Sequence, residues 1–180
     1  MSRLPPLDAD KLSPEQKRVY DQIAGKRKTV RGPFPMWLRN PKLAEHANQF
    51  GIALRDHSTI GRRIFELCVI TVCRAWSVQY AWSSHAPQAE LQGIAPEIVE
   101  AIRQNRTPDF KKADERVAYE IASEIMATRE LSKPSYDKAI AQFGEQGTVE
   151  LISTIGYYAM VGIFLKSFDV PTPTGDNPLK

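Results

Sequence analysis

The stretch Arg62–Gly93, RRIFELCVITVCRAWSVQYAWSSHAPQAELQG, decides how the rest of the chain is read. From Ile60 to Ala75 the apolar residues Ile64, Phe65, Leu67, Cys68, Val69, Ile70, Val72 and Cys73 point in nearly every direction around a helical axis. That pattern belongs to a central helix, since a peripheral one keeps a polar face. The β-branched residues would also suit a buried strand, but the length and the lack of turn signals favour helix. After Trp76-Ser77 a second helix runs to Gln92, with Gly93 at its C-terminal stop. Pro87 removes one backbone donor inside it, which predicts a kink just after His85. The two helices carry one carboxylate in apolar surroundings, Glu66, and one isolated imidazole, His85.

Upstream, Ser13-Pro14-Glu15-Gln16 supplies an N-cap, a proline at the first helical position and a capping-box glutamine, predicting a helix from Pro14 to about Ala24. The following GKRKTVRGPFPMWL reads as a loop because Gly25, Gly32, Pro33 and Pro35 oppose continuous helix. Its Phe34, Met36 and Trp37 need an apolar partner, whether the core, a cavity or another subunit. Asn40-Pro41 opens a helix to about Leu54. Downstream, Pro96 begins a short helix to about Arg103, and Asn105–Lys111 is linker. Ala113, Val117, Ile121 and Ile125 repeat every fourth residue along an amphipathic helix ending near Thr128. A short helix is expected from Ser132 to Phe143 and a last, nearly all-apolar one from about Thr148 to Lys166, where Gly156 and Gly162 allow close approach to the central helix. The tail 171–180, PTPTGDNPLK, is expected to be disordered or to lie across a neighbour. No alternating strand pattern stands out, so the fold class is all-α, in one domain spanning 1–180.

The totals narrow the function. With 180 residues, 42% of them hydrophobic, the chain can bury a real core. Its net charge of +3 arises from 24 basic and 21 acidic residues spread along the whole length, so no basic stripe argues for nucleic acid. The N-terminus lacks a signal-like apolar run, and Glu66, Arg74 and Lys166 interrupt the apolar stretches elsewhere, which predicts a soluble, cytoplasmic protein with no membrane segment. Cys68 and Cys73 fall on different faces of one helix and are expected to be free thiols.

Two residues carry most of the chemical interest. An unpaired carboxylate at Glu66 would have its pKa raised by desolvation and could hand over a proton near neutral pH. The alternative is a partly solvated ion pair with Arg62 or Arg63 near the helix start. His85 can exchange protons near neutral pH, and the backbone freed by Pro87 could admit substrate or water beside it. Its alternative is a structural or surface histidine. Tyr80, Trp82 and Trp76 could line a pocket for an unsaturated compound or belong to the core. Arg62, Arg63 and Arg74 are candidate clamps for a substrate carboxylate, with surface solvation as the competing role. None of the three histidines has a His or acidic partner four residues away, so no metal is indicated.

These residues resemble the carboxymuconolactone decarboxylase and AhpD-like alkylhydroperoxidase superfamily. The resemblance rests on Glu66 in RRIFELCVITVCR and on QYAWSSHAPQAELQGI, where the aromatic, the tryptophan, the histidine, the small-Pro pair and the closing glycine follow the family's second helix. It covers roughly Pro41 to Met126, and GPFPMWLRNP and STIGYYAMVG also resemble longer members. It implies an all-α bundle of about seven to eight helices and a homo-oligomer, whether dimer, trimer or hexamer. In the peroxidase branch a Cys-x-x-Cys pair stands where this chain has Val78 and Ala81, so the resemblance retains Glu66 and His85 and loses both thiols. Thiol peroxidase activity is therefore disfavoured. Long relatives often carry a carboxylate at the Ala81 position, a further departure. The decarboxylase branch does without the cysteines. It implies a small unsaturated carboxylic acid or lactone that is protonated at carbon as carbon dioxide leaves, with no metal or cofactor. In that reading Glu66 and His85 are catalytic, and Tyr80, Trp82, Arg62 and Arg74 contact substrate. A non-catalytic binding or assembly role is the remaining alternative.

Overall fold

The computed structural model describes residues 2–25 and 29–179. Among the described residues eight α-helices follow a short 3-10 turn (Ala9–Lys11): α1 (Pro14–Ala24), α2 (Phe34–Trp37), α3 (Pro41–Asp56), α4 (Gly61–Ala75), α5 (Gln79–Leu91), α6 (Pro96–Arg103), α7 (Ala113–Thr128) and α8 (Lys133–Ser167). No strand occurs among the described residues. The expected all-α class holds, with α4 at its centre. Every residue from Ile64 to Cys73 is buried, and α4 packs against α3, α5, α6, α7 and α8. A helix surrounded on all sides has no face to give to water, which is why its sequence shows no polar stripe.

The helix starts follow local chemistry. Ser13 and Gln16 form the reciprocal capping box at α1, and Asn40 Oδ1 accepts from the Leu43 N–H at α3. The start of α4 is capped from a distance. Ile60 offers no side-chain cap, and Glu150 of α8 instead accepts from Ser58 Oγ, Thr59 N–H and Thr59 Oγ1 at 2.8, 2.8 and 2.6 Å. This bond set fixes α8 to the first turn of α4, the turn that carries Arg62 and leads to Glu66.

Two expectations need correction. The loop before α3 contains one helical turn, α2, because Pro33 and Pro35 stand at its N-terminal end, where a missing N–H costs nothing. Its apolar residues find the core, the first of the three partners expected for them: Met36, Trp37 and Leu38 are buried, and Trp37 stacks edge-on against Phe34 and Phe164. The C-terminal tail is also held by its own chain. Leu179 is buried, its N–H donates to Gln79 Oε1 at 2.9 Å, and Arg103 Nη1 donates to the Pro178 carbonyl at 3.3 Å. The two last helices are joined in one continuous element, yet Gly144 inside it is non-helical (φ 67°, ψ −177°), so the expected break between two helices survives as a kink. That backbone region is open almost only to glycine.

Of the two glycines expected to bring α8 close to its neighbours, only Gly162 does. A Cβ there would sit 2.9 Å from Val78 Cγ2, whereas one on Gly156 would meet open space. By length and composition α8 is apolar enough to cross a bilayer, but half of its most apolar window is buried inside the protein. Pro87 lies within α5, which continues four residues beyond it to Leu91.

Candidate active site

Glu66 lies on the face of α4 that meets α5 and α8, and it has no exposure to solvent. The unpaired acid considered from sequence is in fact paired on both oxygens. Arg62, one turn earlier, donates to Oε1 from Nε at 2.8 Å and lies 2.7 Å away through Nη2. On the other oxygen, Oε2 is 2.7 Å from His85 Nδ1. A charge fully removed from water needs such partners, because neither Coulomb attraction nor a single hydrogen bond alone repays its desolvation. Arg62 is anchored further by Asp56 at 3.3 Å and by its guanidinium lying 5.3 Å from the Phe65 ring centre.

The imidazole is held on its other nitrogen as well. Tyr158 Oη, from α8, lies 3.2 Å from His85 Nε2, with the two rings edge-on at 5.0 Å between centres. Burial pushes the Tyr158 hydroxyl well above the ordinary tyrosine range, and the nearby charge of Glu66 pushes it further. A protonated Tyr158 can donate to Nε2, which leaves Nδ1–H to donate to Glu66, so the two neighbours assign one imidazole tautomer. His85 keeps 18% of its side chain exposed, while Glu66 behind it has none. Asp56, Arg62, Glu66, His85 and Tyr158 form one chain of polar contacts, partly exposed at Asp56 and at His85 and fully buried at Glu66 between them.

The other candidates are placed elsewhere. Arg62 spends its donors inside the protein, on Glu66 and Asp56, which disposes it to orient the acid rather than clamp a substrate. Arg63 is likewise engaged, pairing with Asp114 at 2.5 Å and with buried Glu115. Tyr80 lies five residues before His85, about 140° around the helix, and its hydroxyl accepts from the Gly32 N–H at 3.0 Å. It lines a cavity of about 220 Å³ with Pro5, Gly32, Pro35 and Val170. Trp82 is buried in the core and Trp76 is half-buried against it. Arg74 lines a separate cavity. Neither cavity includes Glu66, His85 or Tyr158 in its lining. Cys68 and Cys73 are buried free thiols, and burial pushes both far above the ordinary thiol range, reinforced at Cys73 by the charge of Glu66. No group of three or more His, Cys, Asp and Glu side chains suited to a metal occurs among the described residues.

Sequence reasoning missed Tyr158 as a partner of His85. The available signal was the Tyr157-Tyr158 pair in a glycine-flanked, otherwise apolar helix, where a buried phenol needs a hydrogen-bond partner. Tyr157 finds one in the Ala47 carbonyl at 3.0 Å.

No protein-family model and no curated protein matches the sequence. Solved structures do match. An uncharacterized peroxidase-related protein from Silicibacter sp. TM1040 superposes with a TM-score of 0.79 at 13% identity, over 99% of this chain and 96% of that one. An alkylhydroperoxidase AhpD core protein, an uncharacterized peroxidase-related protein from Ralstonia eutropha JMP134, gives 0.78 at 12% identity, over 95% and 92%. The debrominase Bmp8 in its apo form gives 0.75 at 17% identity, over 94% and 91%, and a variant of it is solved in complex with 2,3,4-tribromopyrrole. At these identities the likeness speaks for architecture, and the architecture agrees along almost the whole length: this chain has the AhpD-like all-α fold.

Proposed function

We propose that the chain is an acid–base enzyme of decarboxylase type, acting on a small unsaturated carboxylic acid or lactone, with His85 as the proton carrier. The observation that carries this reading is the contact of His85 Nδ1 with fully buried Glu66 at 2.7 Å, while the His85 side chain keeps partial exposure. Glu66, held by Arg62, stabilises the imidazolium that forms when Nε2 takes a proton. Before each turnover Nε2 takes a proton from water; the bond from carbon to the departing carboxylate then breaks, its electron pair forms a new double bond as the existing one shifts, and the far carbon takes the proton from Nε2, which returns the ring to its neutral Nδ1–H form. Tyr158 holds Nε2 in the resting protein. Arg62 and Tyr158 are positioning residues in this scheme. Substrate binding by Tyr80 and Trp82 gains no support from their placement. We further propose a cytoplasmic homo-oligomer, a reading supported by the exposed apolar residues Val149, Ile152 and Ile163 along α8.

A screen of carboxylated lactones and β,γ-unsaturated acids tests the reading, followed by His85→Gln on any substrate found. Turnover is expected to fall by roughly 10²–10⁴-fold, the usual worth of a positioned acid–base group, with the helical fold intact by circular dichroism. Retained turnover in that variant would dismiss His85 as the proton carrier. Thiol-dependent peroxide reduction is the competing chemistry, and the buried, thiol-form state of Cys68 and Cys73 weighs against it. If any hydroperoxide turnover is found, it should survive changing both cysteines to Ala.

A further inference from the structure

One face of α8 is exposed although it is apolar. Val149, Ile152 and Ile163 keep 65%, 38% and 47% of their surface, and a Cβ on Gly156 between them would meet open space. Ser153, Ala159 and Met160 are half-buried. At about 100° per residue, these side chains all lie within roughly 60° of Gly156 around the helix axis, so they form one strip beyond the kink at Gly144. From Val149 to Ile163 the only charged residue is Glu150, which is turned onto Ser58 and Thr59 at the start of α4. Helix α3 widens the strip. Its Leu43 and Phe50 are exposed, and the Phe50 ring stands edge-on to Tyr157, the residue after Gly156, at 5.6 Å between centres. Contiguous apolar surface of this kind marks a contact site.

The order of the residues identifies the occupant. Counted outward from Gly156, Val149 and Ile163 are each seven residues away, Ile152 and Met160 four, and Ser153 and Ala159 three. A two-fold rotation through Gly156 therefore sets each of these on its counterpart in an antiparallel second helix. At the ends it brings Glu145 to Ser167, one residue from Lys166, so opposite charges meet there. A lipid surface or an unlike protein requires no such symmetry, whereas a two-fold contact between identical chains needs a surface complementary to itself. We propose that the α8 strip is the contact between two copies of this chain, packed antiparallel with Gly156 on the two-fold axis and α3 on either flank. This rests on the homo-oligomer reading above and names its symmetry and register. The missing side chain at Gly156 lets the two backbones approach closely, and the seven-residue spacing of Val149, Gly156 and Ile163 gives a shallow crossing. Tyr158 lies two residues from that axis and reaches inward to His85, so the contact braces the helix that holds the imidazole.

Cross-linking tests the axis and the register in the full chain. The Gly156→Cys variant, treated with oxidised glutathione, should join to its own copy, since a residue on the axis meets itself at about the 5–6 Å Cα spacing of a disulfide. Val149→Cys alone should not, and Val149→Cys combined with Ile163→Cys should. The buried Cys68 and Cys73 are common to every variant. In analytical ultracentrifugation Ile163→Glu should raise the dissociation constant at least about hundredfold, because the charge is buried twice per pair. Adding Val149→Lys to it should recover most of the association, since the two new charges meet across the axis. The proposal is overturned if an oligomer forms but Gly156→Cys does not cross-link, if Val149→Cys alone cross-links equally well, or if Ile163→Glu leaves association unchanged. It is overturned equally if the unaltered chain stays monomeric and instead binds vesicles of phosphatidylcholine and phosphatidylglycerol. A monomer at every concentration ends the homo-oligomer reading as well, whereas an oligomer with the wrong cross-links ends this pairing alone. Should Ile163→Glu fail to fold by circular dichroism, the cross-links decide, because a side chain at position 156 meets open space within the subunit.

Discussion

Two arginines twelve positions apart on the same helix have opposite bonding. Arg62, near the start of α4, gives its guanidinium to buried Glu66 and to Asp56 and lies over the Phe65 ring. Arg74, in the last turn, keeps a buried Nε without a hydrogen-bond partner among the described residues and makes a long contact from Nη1 to Ser77 Oγ at 3.4 Å. The first is committed to the polar cluster around Glu66, and the second has few bonds to hold it. An arginine in a predicted pocket therefore says little until its donors are counted.

The strongest way to break this contrast is to remove the acid that occupies Arg62. Glu66→Ala should cost about 3 kcal/mol of stability in urea unfolding, near the lower end of the roughly 3–5 expected when a buried ion pair loses one partner, since Arg62 retains Asp56 and some solvent. Arg74→Gln, measured beside it, should change stability by less than about 1 kcal/mol, the worth of a cation near a helix C-terminus. Equal losses in the two variants would erase the distinction. Tyr158→Phe sharpens the committed side: deleting the hydroxyl that faces His85 Nε2 should cost about 1 kcal/mol, a single net hydrogen bond. It should also reduce any His85-dependent turnover less than His85→Gln does.

The smallest effect concerns how the committed end of α4 is held against acid. Burial alone would raise the Glu150 carboxyl, but the hydrogen bonds from Thr59, Gln146 and Ser58 outweigh it and lower the group to about 2. A depressed carboxyl contributes stability that is fully present above its unfolded value, 4.5, and is lost as pH falls toward 2. Glu150→Gln should therefore lower the thermal midpoint near neutral pH and flatten its decline between about pH 4.5 and 2. An unchanged acid profile would mean that the cap from α8 contributes nothing to holding the first turn of α4.

The fold was largely legible because its signals are local. The capping box at Ser13, the Asn40-Pro41 start, Pro96, and the fully apolar stretch of α4 each place an element without reference to the rest of the chain. The break at Gly144 also showed as a gap between two apolar patterns. What did not show was direction. Phe34–Leu38 read as a segment needing the core, a cavity or another subunit, and only the three-dimensional path selects the core, where Trp37 meets Phe164. The candidate site divides in the same way. Glu66 and His85 stood out as isolated polar groups, and their contact at 2.7 Å joins two consecutive helices. Tyr158 was hidden because its partner lies 73 residues away. Tyr80 and Arg74 share helices with His85 and Glu66 but project in other directions or at other heights, a difference that proximity in sequence conceals.

That 73-residue separation has a kinetic meaning. Glu66 and His85 can meet as soon as α4 and α5 have formed their hairpin, but the ring's second nitrogen finds Tyr158 only when the final helix docks. Contacts so distant along the chain close late, after the entropy of the intervening loop has been lost. A nascent chain, or one whose last helix has locally opened, thus carries an acid–histidine pair with an unrestrained ring. Any activity that depends on the full cluster becomes a readout of whether folding has reached its last step.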